Sequence, residues 1–160
     1  MQLFYAPNIP KAELFLDDVQ SKHCIKVLRR EVNSRIHLVD GLGGFYEAKI
    51  TESNPKKCYF QIIKEQQNYG KLPFNLHIAV APTKNMSRFE WFLEKATEIG
   101  ITEITPLLTK YSERRNVRLD RLEKVVVAAM KQSLKAYVPK INNPLKIKDL
   151  GKKRTFLAAY

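Results

Sequence analysis

A polar stretch, EQQNYGKLP at residues 65–73, separates two halves of the chain whose apolar residues follow different periods. No other feature constrains the fold as much. Before it stand short runs rich in β-branched and aromatic residues: QLFYA at 2–6, RIHLVD at 35–40, FYEAKI at 45–50 and CYFQII at 58–63. DGLGG at 40–44 joins two of them as a hairpin, because glycine takes positive φ at little cost. A glycine-rich phosphate loop would lead from a strand into a helix, whereas this turn leads into another strand. Short strands at this spacing, with one helix between the first two, predict a small β-barrel over residues 1–70.

After the divide the pattern becomes strand, helix, strand, helix, strand. FNLHIAVAP is a nearly continuous apolar run of the kind a buried strand needs. Ser87 and Glu90 have capping-box spacing ahead of WFLEKATEI, and Gly100 stands where a glycine cap ends a helix. ITEITPLLT reads as the next strand. RLDRLEKVVVAAMKQSLKAYV reads as a long amphipathic helix with Leu119, Leu122, Val126 and Ala129 on one face. TFLAAY supplies a third strand. This order predicts a parallel α/β domain over residues 73–160, whose ligand crevice lies outside the carboxyl ends of its strands. The last strand stops at Tyr160 with no loop after it, so the domain is expected to be incomplete.

Charge narrows the partners. Lys and Arg number 28 against 16 Asp and Glu, a formal +12, and most of the excess falls after residue 70. Such a surface attracts polyanions, nucleic acid first. The longest apolar run, about Val125 to Met130, is far short of the ~20 residues a membrane helix needs, and MQLFYAPNIP is no signal peptide. Cys24 and Cys58 lack CxxC spacing and nearby histidine clusters, so neither a metal site nor a disulfide framework is expected, and the reading is a reducing cytoplasm.

The segment HCIKVLRRE at 23–31 carries the sharpest local charge pattern. Wound as an α-helix from Lys22, it places Cys24, Ile25, Val27 and Leu28 on an apolar arc and Lys22, His23, Lys26, Arg29 and Arg30 on a basic one. That arc is either a solvated helix face or a docking surface for RNA. His23 fits a phosphate contact or a hydrogen bond within the barrel, and Asp40 fits the turn it opens. Arg88 lies in the first turn of its helix, where the dipole disfavours a cation, which suggests an external anion. Lys95 and Glu98 are three apart, close enough to pair with each other. Gln132 and Ser133, near the end of the long helix, either line a pocket or close an apolar face.

Three strings taken together, HCIKVLRREVNSRIHLVDGLGGFYEAKI, KNMSRFEWFLEKATEIGITEITPL and AAMKQSLKAYVPKI, resemble the small-subunit ribosomal RNA uridine N3-methyltransferases, a branch of the trefoil-knot (SPOUT) class. The resemblance implies an α+β then α/β chain: an N-terminal PUA-like β-barrel that binds RNA, then the start of a knotted SPOUT domain that binds S-adenosylmethionine. It implies methyl transfer to N3 of a uridine in 16S ribosomal RNA, with the small ribosomal subunit as partner and a homodimer as the full-length state.

By the same resemblance His23, Arg29, Arg30 and Asp40 belong to the barrel's functional residues, while Lys22 and Lys26 join them on the RNA side as members of the basic arc, together with Lys135. Arg88, Lys95, Glu98, Gln132 and Ser133 belong to those of the second domain, and Arg88, Lys95, Glu98 and Gln132 are the candidates for a catalytic role. The family usually has arginine at the place of Lys135, and lysine lacks the planar fork of donors. Its GPEGG-like loop and LG-x-x-ILR-like segment, which thread the knot and build the cofactor pocket, do not occur in these 160 residues. The chain is therefore expected to be truncated before the knot and inactive by itself, with the methyl-donor pocket mostly elsewhere. The rival readings are a non-catalytic RNA-binding protein and a nucleotide-binding α/β enzyme, the latter without GxGxxG or a Walker A motif.

Overall fold

The computed structural model describes residues 1–110 and 117–150, and the chain divides into two compact units. The first contains Met1–Lys71 together with Lys131–Tyr137, and the second Leu72–Met130 with Val138 onward.

In the first unit β1 (Leu3–Tyr5), β2 (Arg35–Val39), β3 (Phe45–Glu52) and β4 (Tyr59–Gln66) form one sheet in that order. β1 runs parallel to β2, and the other neighbours are antiparallel. Alternation buries Ile36 and Leu38 of β2, Tyr46, Ala48 and Ile50 of β3 and Phe60 of β4 in one core, with Phe4, Leu16, Cys24 and Cys58. A register shift follows Glu47, which pairs with Lys64, while the next residue, Ala48, pairs with Ile62. Ile63 is the extra residue of this bulge, which explains why an apolar side chain in a core strand is 51% exposed.

Strand pairing does not close the expected barrel among the described residues. Residues 14–16 line the free edge of β4, through Phe60 N to Leu14 O at 3.0 Å and Leu16 N to Cys58 O at 2.9 Å, while β1 forms the opposite edge. Between them the chain makes a 3-10 turn at Ile9–Lys11. Pro7 and Pro10 lack the amide protons a continuous ladder would need.

DGLGG forms the predicted hairpin between β2 and β3. The polar divide contributes its first two residues to β4, and the rest makes a turn in which Tyr69 N donates to Gly43 O at 2.9 Å.

The second unit holds a parallel sheet. β5 (His77–Val80) pairs with β6 (Glu103–Leu108), and β6 pairs with both β7 (Lys140–Ile141) and β8 (Leu145–Lys146). The helix α2 (Met86–Ile99) joins β5 to β6, and α3 (Leu119–Gln132) precedes β7. Phe89, Leu93 and Ala96 of α2 share a core with Ile104 of β6 and Leu122 and Val126 of α3.

Several local expectations change. The N-cap of α2 is Asn85, whose side chain accepts from Ser87 N at 2.9 Å; Glu90, the expected capping-box partner, instead accepts from Arg121 at 3.0 Å. Gly100 caps the other end as expected, at φ 105° with its N–H on Ala96 O. The long helix ends at Gln132, six residues before the predicted end at Val138, because Leu134 takes φ 57° and its N–H returns to Lys131 O. β7, β8 and the short α4 (Ile147–Leu150) have no counterpart among the elements expected from the sequence. TFLAAY, the expected third strand, lies outside the described residues.

Candidate nucleic-acid interface

The basic stretch begins in α1 (Asp18–Lys22), which Asp17 caps by accepting from Gln20 N at 2.8 Å. From His23 to Val27 the backbone widens into a π turn, closed by Leu28 N on His23 O at 2.9 Å. An i→i+5 turn advances each residue through a smaller angle than an α-helix does, so the arcs drawn at 100° per residue slip out of phase. Val27 shows the slip: predicted on the apolar arc, it is 65% exposed, while Cys24 stays fully buried and Ile25 and Leu28 pack partly on the core.

The cationic side keeps its exposure. Lys22, Lys26, Arg29 and Arg30 are all exposed. Arg29 takes φ 52°, and the chain then turns back so that Arg30 N meets Cys24 O at 3.1 Å. The two arginines thus leave the turn on a backbone fixed from the core side. Lys22 shares its charge with Asp18 at 2.9 Å, an exposed i,i+4 pair of small energetic weight. His23 is half-buried, with its ring 6.4 Å from that of Phe4.

Beneath this turn the two cysteines meet. The Cys24 and Cys58 thiols are hydrogen bonded to each other, which lowers the Cys24 pKa, with the nearby Arg30 charge adding to it, and raises that of Cys58 beyond the usual thiol range. Both are free and buried, and the Ser21 hydroxyl braces the pair by accepting from Cys58 N at 2.9 Å.

Asp40 is a turn residue in this structure. Its carboxylate accepts from Leu42 N at 2.7 Å, Gly44 N at 2.9 Å and the Tyr46 hydroxyl at 3.0 Å, and it is 4% exposed. Gln132, Ser133 and Lys135 fall in the segment grouped with the first unit, where Ala136 O accepts from Gly43 N at 2.9 Å. Gln132 is exposed and Lys135 half-buried.

In the second unit Arg88 is exposed at the start of α2. Lys95 donates to both Glu98 oxygens at 2.9 and 3.0 Å and to Glu94 at 3.1 Å, and these contacts raise its pKa. A polar network missed from sequence ties the strands together. His77 meets the Thr105 hydroxyl at 2.7 Å, and Asn142 donates to that hydroxyl at 2.8 Å and to Glu103 at 2.6 Å. Its anchors His77 and Glu103 open β5 and β6, at the edge opposite the carboxyl ends where a ligand crevice forms, so we read the network as a strand clamp. Register pairing of His77 with Glu103 was its one possible sequence signal, and that register is invisible before the sheet is known.

A cavity of about 430 Å³ does lie at the carboxyl ends of β6 and β8, lined by Leu108, Thr109, Lys110, Lys146, Ile147 and Lys148. Among the described residues its lining holds three lysines and no acidic group, which suits an anion and does not by itself fit a sulfonium cation. Among the described residues no group of His, Cys, Asp and Glu could hold a metal, and no helix is long and apolar enough to cross a membrane.

Comparison with known proteins gives a consistent picture. Residues 70–158 match the RNA methyltransferase domain, and residues 16–63 match the RNA methyltransferase PUA domain. Ribosomal RNA small subunit methyltransferase E of Rickettsia conorii is 33% identical over 139 residues, which are 86% of this chain and 56% of that protein. A probable rRNA methyltransferase from Porphyromonas gingivalis superposes with a TM-score of 0.86 at 38% identity, over 93% of this chain and 62% of that one. The Neisseria gonorrhoeae ribosomal RNA small subunit methyltransferase E, solved bound to S-adenosyl methionine, gives 0.79 at 27% identity over 91% of this chain and 62% of that one. The chain therefore spans a little over half the length of these relatives. It belongs to the RNA methyltransferase family, with an RNA methyltransferase PUA domain preceding the methyltransferase domain.

Proposed function

We propose that this chain is the RNA-docking and sheet-forming part of a cytoplasmic, homodimeric methyltransferase that moves a methyl group from S-adenosylmethionine to N3 of a uridine in 16S ribosomal RNA. The observation that carries the reading is the exposed cationic rim of Lys22, Lys26, Arg29 and Arg30 on a turn anchored in the core of the PUA-matched domain. In this reading residues 1–70 dock RNA and residues 73–160 begin the catalytic domain. Lys135, on the segment that meets the DGLGG turn, adds a further positive charge to the first unit.

Uracil N3 carries an imide proton that must leave as the methyl arrives, so positioning and a general base dominate such a reaction. Glu98 is poorly suited to be that base, since Lys95 already occupies both its oxygens. Arg88, exposed at the start of α2, serves better as a contact for RNA phosphate than Lys95, whose ammonium is held by Glu94 and Glu98, and Gln132 serves as a hydrogen-bond partner of the uracil edge. The cavity at the carboxyl ends of β6 and β8, with its three lysines, does not by itself suit the sulfonium of the methyl donor.

The test uses the whole protein with unmethylated small ribosomal subunits and methyl-labelled S-adenosylmethionine. Recovery of the label as 3-methyluridine after digestion supports the reading. Label in another nucleoside, or none in RNA, overturns it.

A further inference from the structure

On the side of the first unit's sheet opposite Ile36 and Leu38, three rings stand in a row. Phe45 and Tyr69 stack with centroids 4.6 Å apart and planes 24° from parallel, and the His37 ring lies 5.7 Å from Phe45 at 33°. All three are half-buried, and His37 ends the row beside a groove of about 270 Å³. Phe4, Leu28 and Ile36 line it with apolar surface, and His37, Arg30 and Arg35 add polar groups. Arg35 holds Glu47 at 2.9 Å, yet its side chain remains 73% exposed.

Each part suits one kind of guest. A drug-sized ligand needs roughly 300–1,000 Å³ and extensive enclosure, more than this open groove provides. A flat ring with a charged tether matches its lining: the apolar side chains of Leu28, Phe4 and Ile36, the imidazole of His37 at its border, and two guanidinium groups where phosphates would pass. Arg30 also belongs to the cationic rim, so a strand docked on the rim reaches the groove without leaving positive potential. We propose that the groove takes an unstacked base of single-stranded RNA, laid against His37 at the open end of the His37–Phe45–Tyr69 row. The inference rests on the RNA-docking reading above and adds to it a base-binding subsite. Phosphate contacts hold any sequence, whereas unstacked bases on aromatic rings select single-stranded over paired RNA.

The test measures binding of the full chain to a short single-stranded RNA and to the same ribose-phosphate backbone stripped of its bases, by fluorescence anisotropy. Wild type should bind the stripped backbone about fivefold or more weakly, as expected when a stacked base is removed. His37→Ala should weaken binding of the intact RNA by a similar factor and bind both strands alike. His37→Phe, which keeps a flat ring, should restore the preference. Arg29→Ala, outside the groove, should weaken both strands equally. If wild type binds both strands alike while Arg29→Ala weakens both, the base subsite is wrong and the docking surface stands. If wild type binds neither strand, the docking reading fails and takes the subsite with it.

Discussion

The Tyr46 hydroxyl donates to Asp40 Oδ2 at 3.0 Å where both residues are under 5% exposed, so a phenol and a carboxylate share one desolvated site beneath the hairpin. Burial, together with the Asp40 hydrogen bond and charge, pushes the Tyr46 pKa up to about 12, against an opposing hydrogen bond from Gln67. Between about pH 10 and 12 the unfolded tyrosine has lost its proton while the folded one keeps it. The folded state binds more protons there, so stability is intact below about pH 10 and falls as pH rises through that window. We expect wild type to lose about 2–3 kcal/mol more than Tyr46→Phe across it, since each tenfold difference in proton affinity between the folded and unfolded states corresponds to about 1.4 kcal/mol. Urea denaturation of both proteins at several alkaline pH values checks this, and parallel curves would contradict it.

Gly43 has φ 105°, and an added Cβ would run into the Tyr137 ring, with Cε1 only 2.8 Å away. Gly70 has φ 66° with nothing within 4 Å of the same atom. Gly70→Ala should therefore cost only the conformational penalty of about 1–2 kcal/mol. Gly43→Ala should cost more, and Tyr137→Ala in the same chain should recover part of the difference as a coupling energy. Equal losses for the two glycines in chemical denaturation would remove the close approach from the account.

The π turn makes opposite predictions for neighbouring apolar residues. Val27→Asp puts a charge at a 65% exposed position and should change stability by no more than about 0.5 kcal/mol. Cys24→Asp puts one at a fully buried position beside Cys58 and should cost at least about 3 kcal/mol, enough to unfold a marginal domain. Circular dichroism melts separate the two. A Val27→Asp chain as destabilised as the Cys24→Asp chain would restore the regular helix and its original arcs.

Signals with a fixed local period were readable from sequence. Runs of β-branched and aromatic residues between turn formers marked β1 to β4, and glycine chemistry found the hairpin and the end of α2. Features set by tertiary contact were not readable. The π turn breaks the period used to assign Val27, and the bulge at Ile63 depends on the pairing of β3 with β4. β7 and β8 have two residues each, too few to show alternation, and both exist because β6 offers them an edge. The His37–Phe45–Tyr69 row joins residues from β2, β3 and a turn. Lys95 and Glu98 were legible as a pair, since three residues on a helix always place two side chains within reach.

The functional reading rests above all on the cationic rim of residues 22–30 docking RNA through phosphate contacts from Arg29 and Arg30. Each contact releases condensed counterions, so its loss flattens the dependence of log affinity on log salt by about 0.7 for single-stranded RNA. The decisive experiment compares the affinity of wild type and of the Arg29→Ala/Arg30→Ala double variant, both folded, for a ribosomal RNA fragment over a range of salt concentrations. The variant should bind more weakly, with a slope shallower by about 1.4, two contacts' worth. Unchanged affinity and unchanged slope would contradict phosphate docking and leave the rim an ordinary solvated surface.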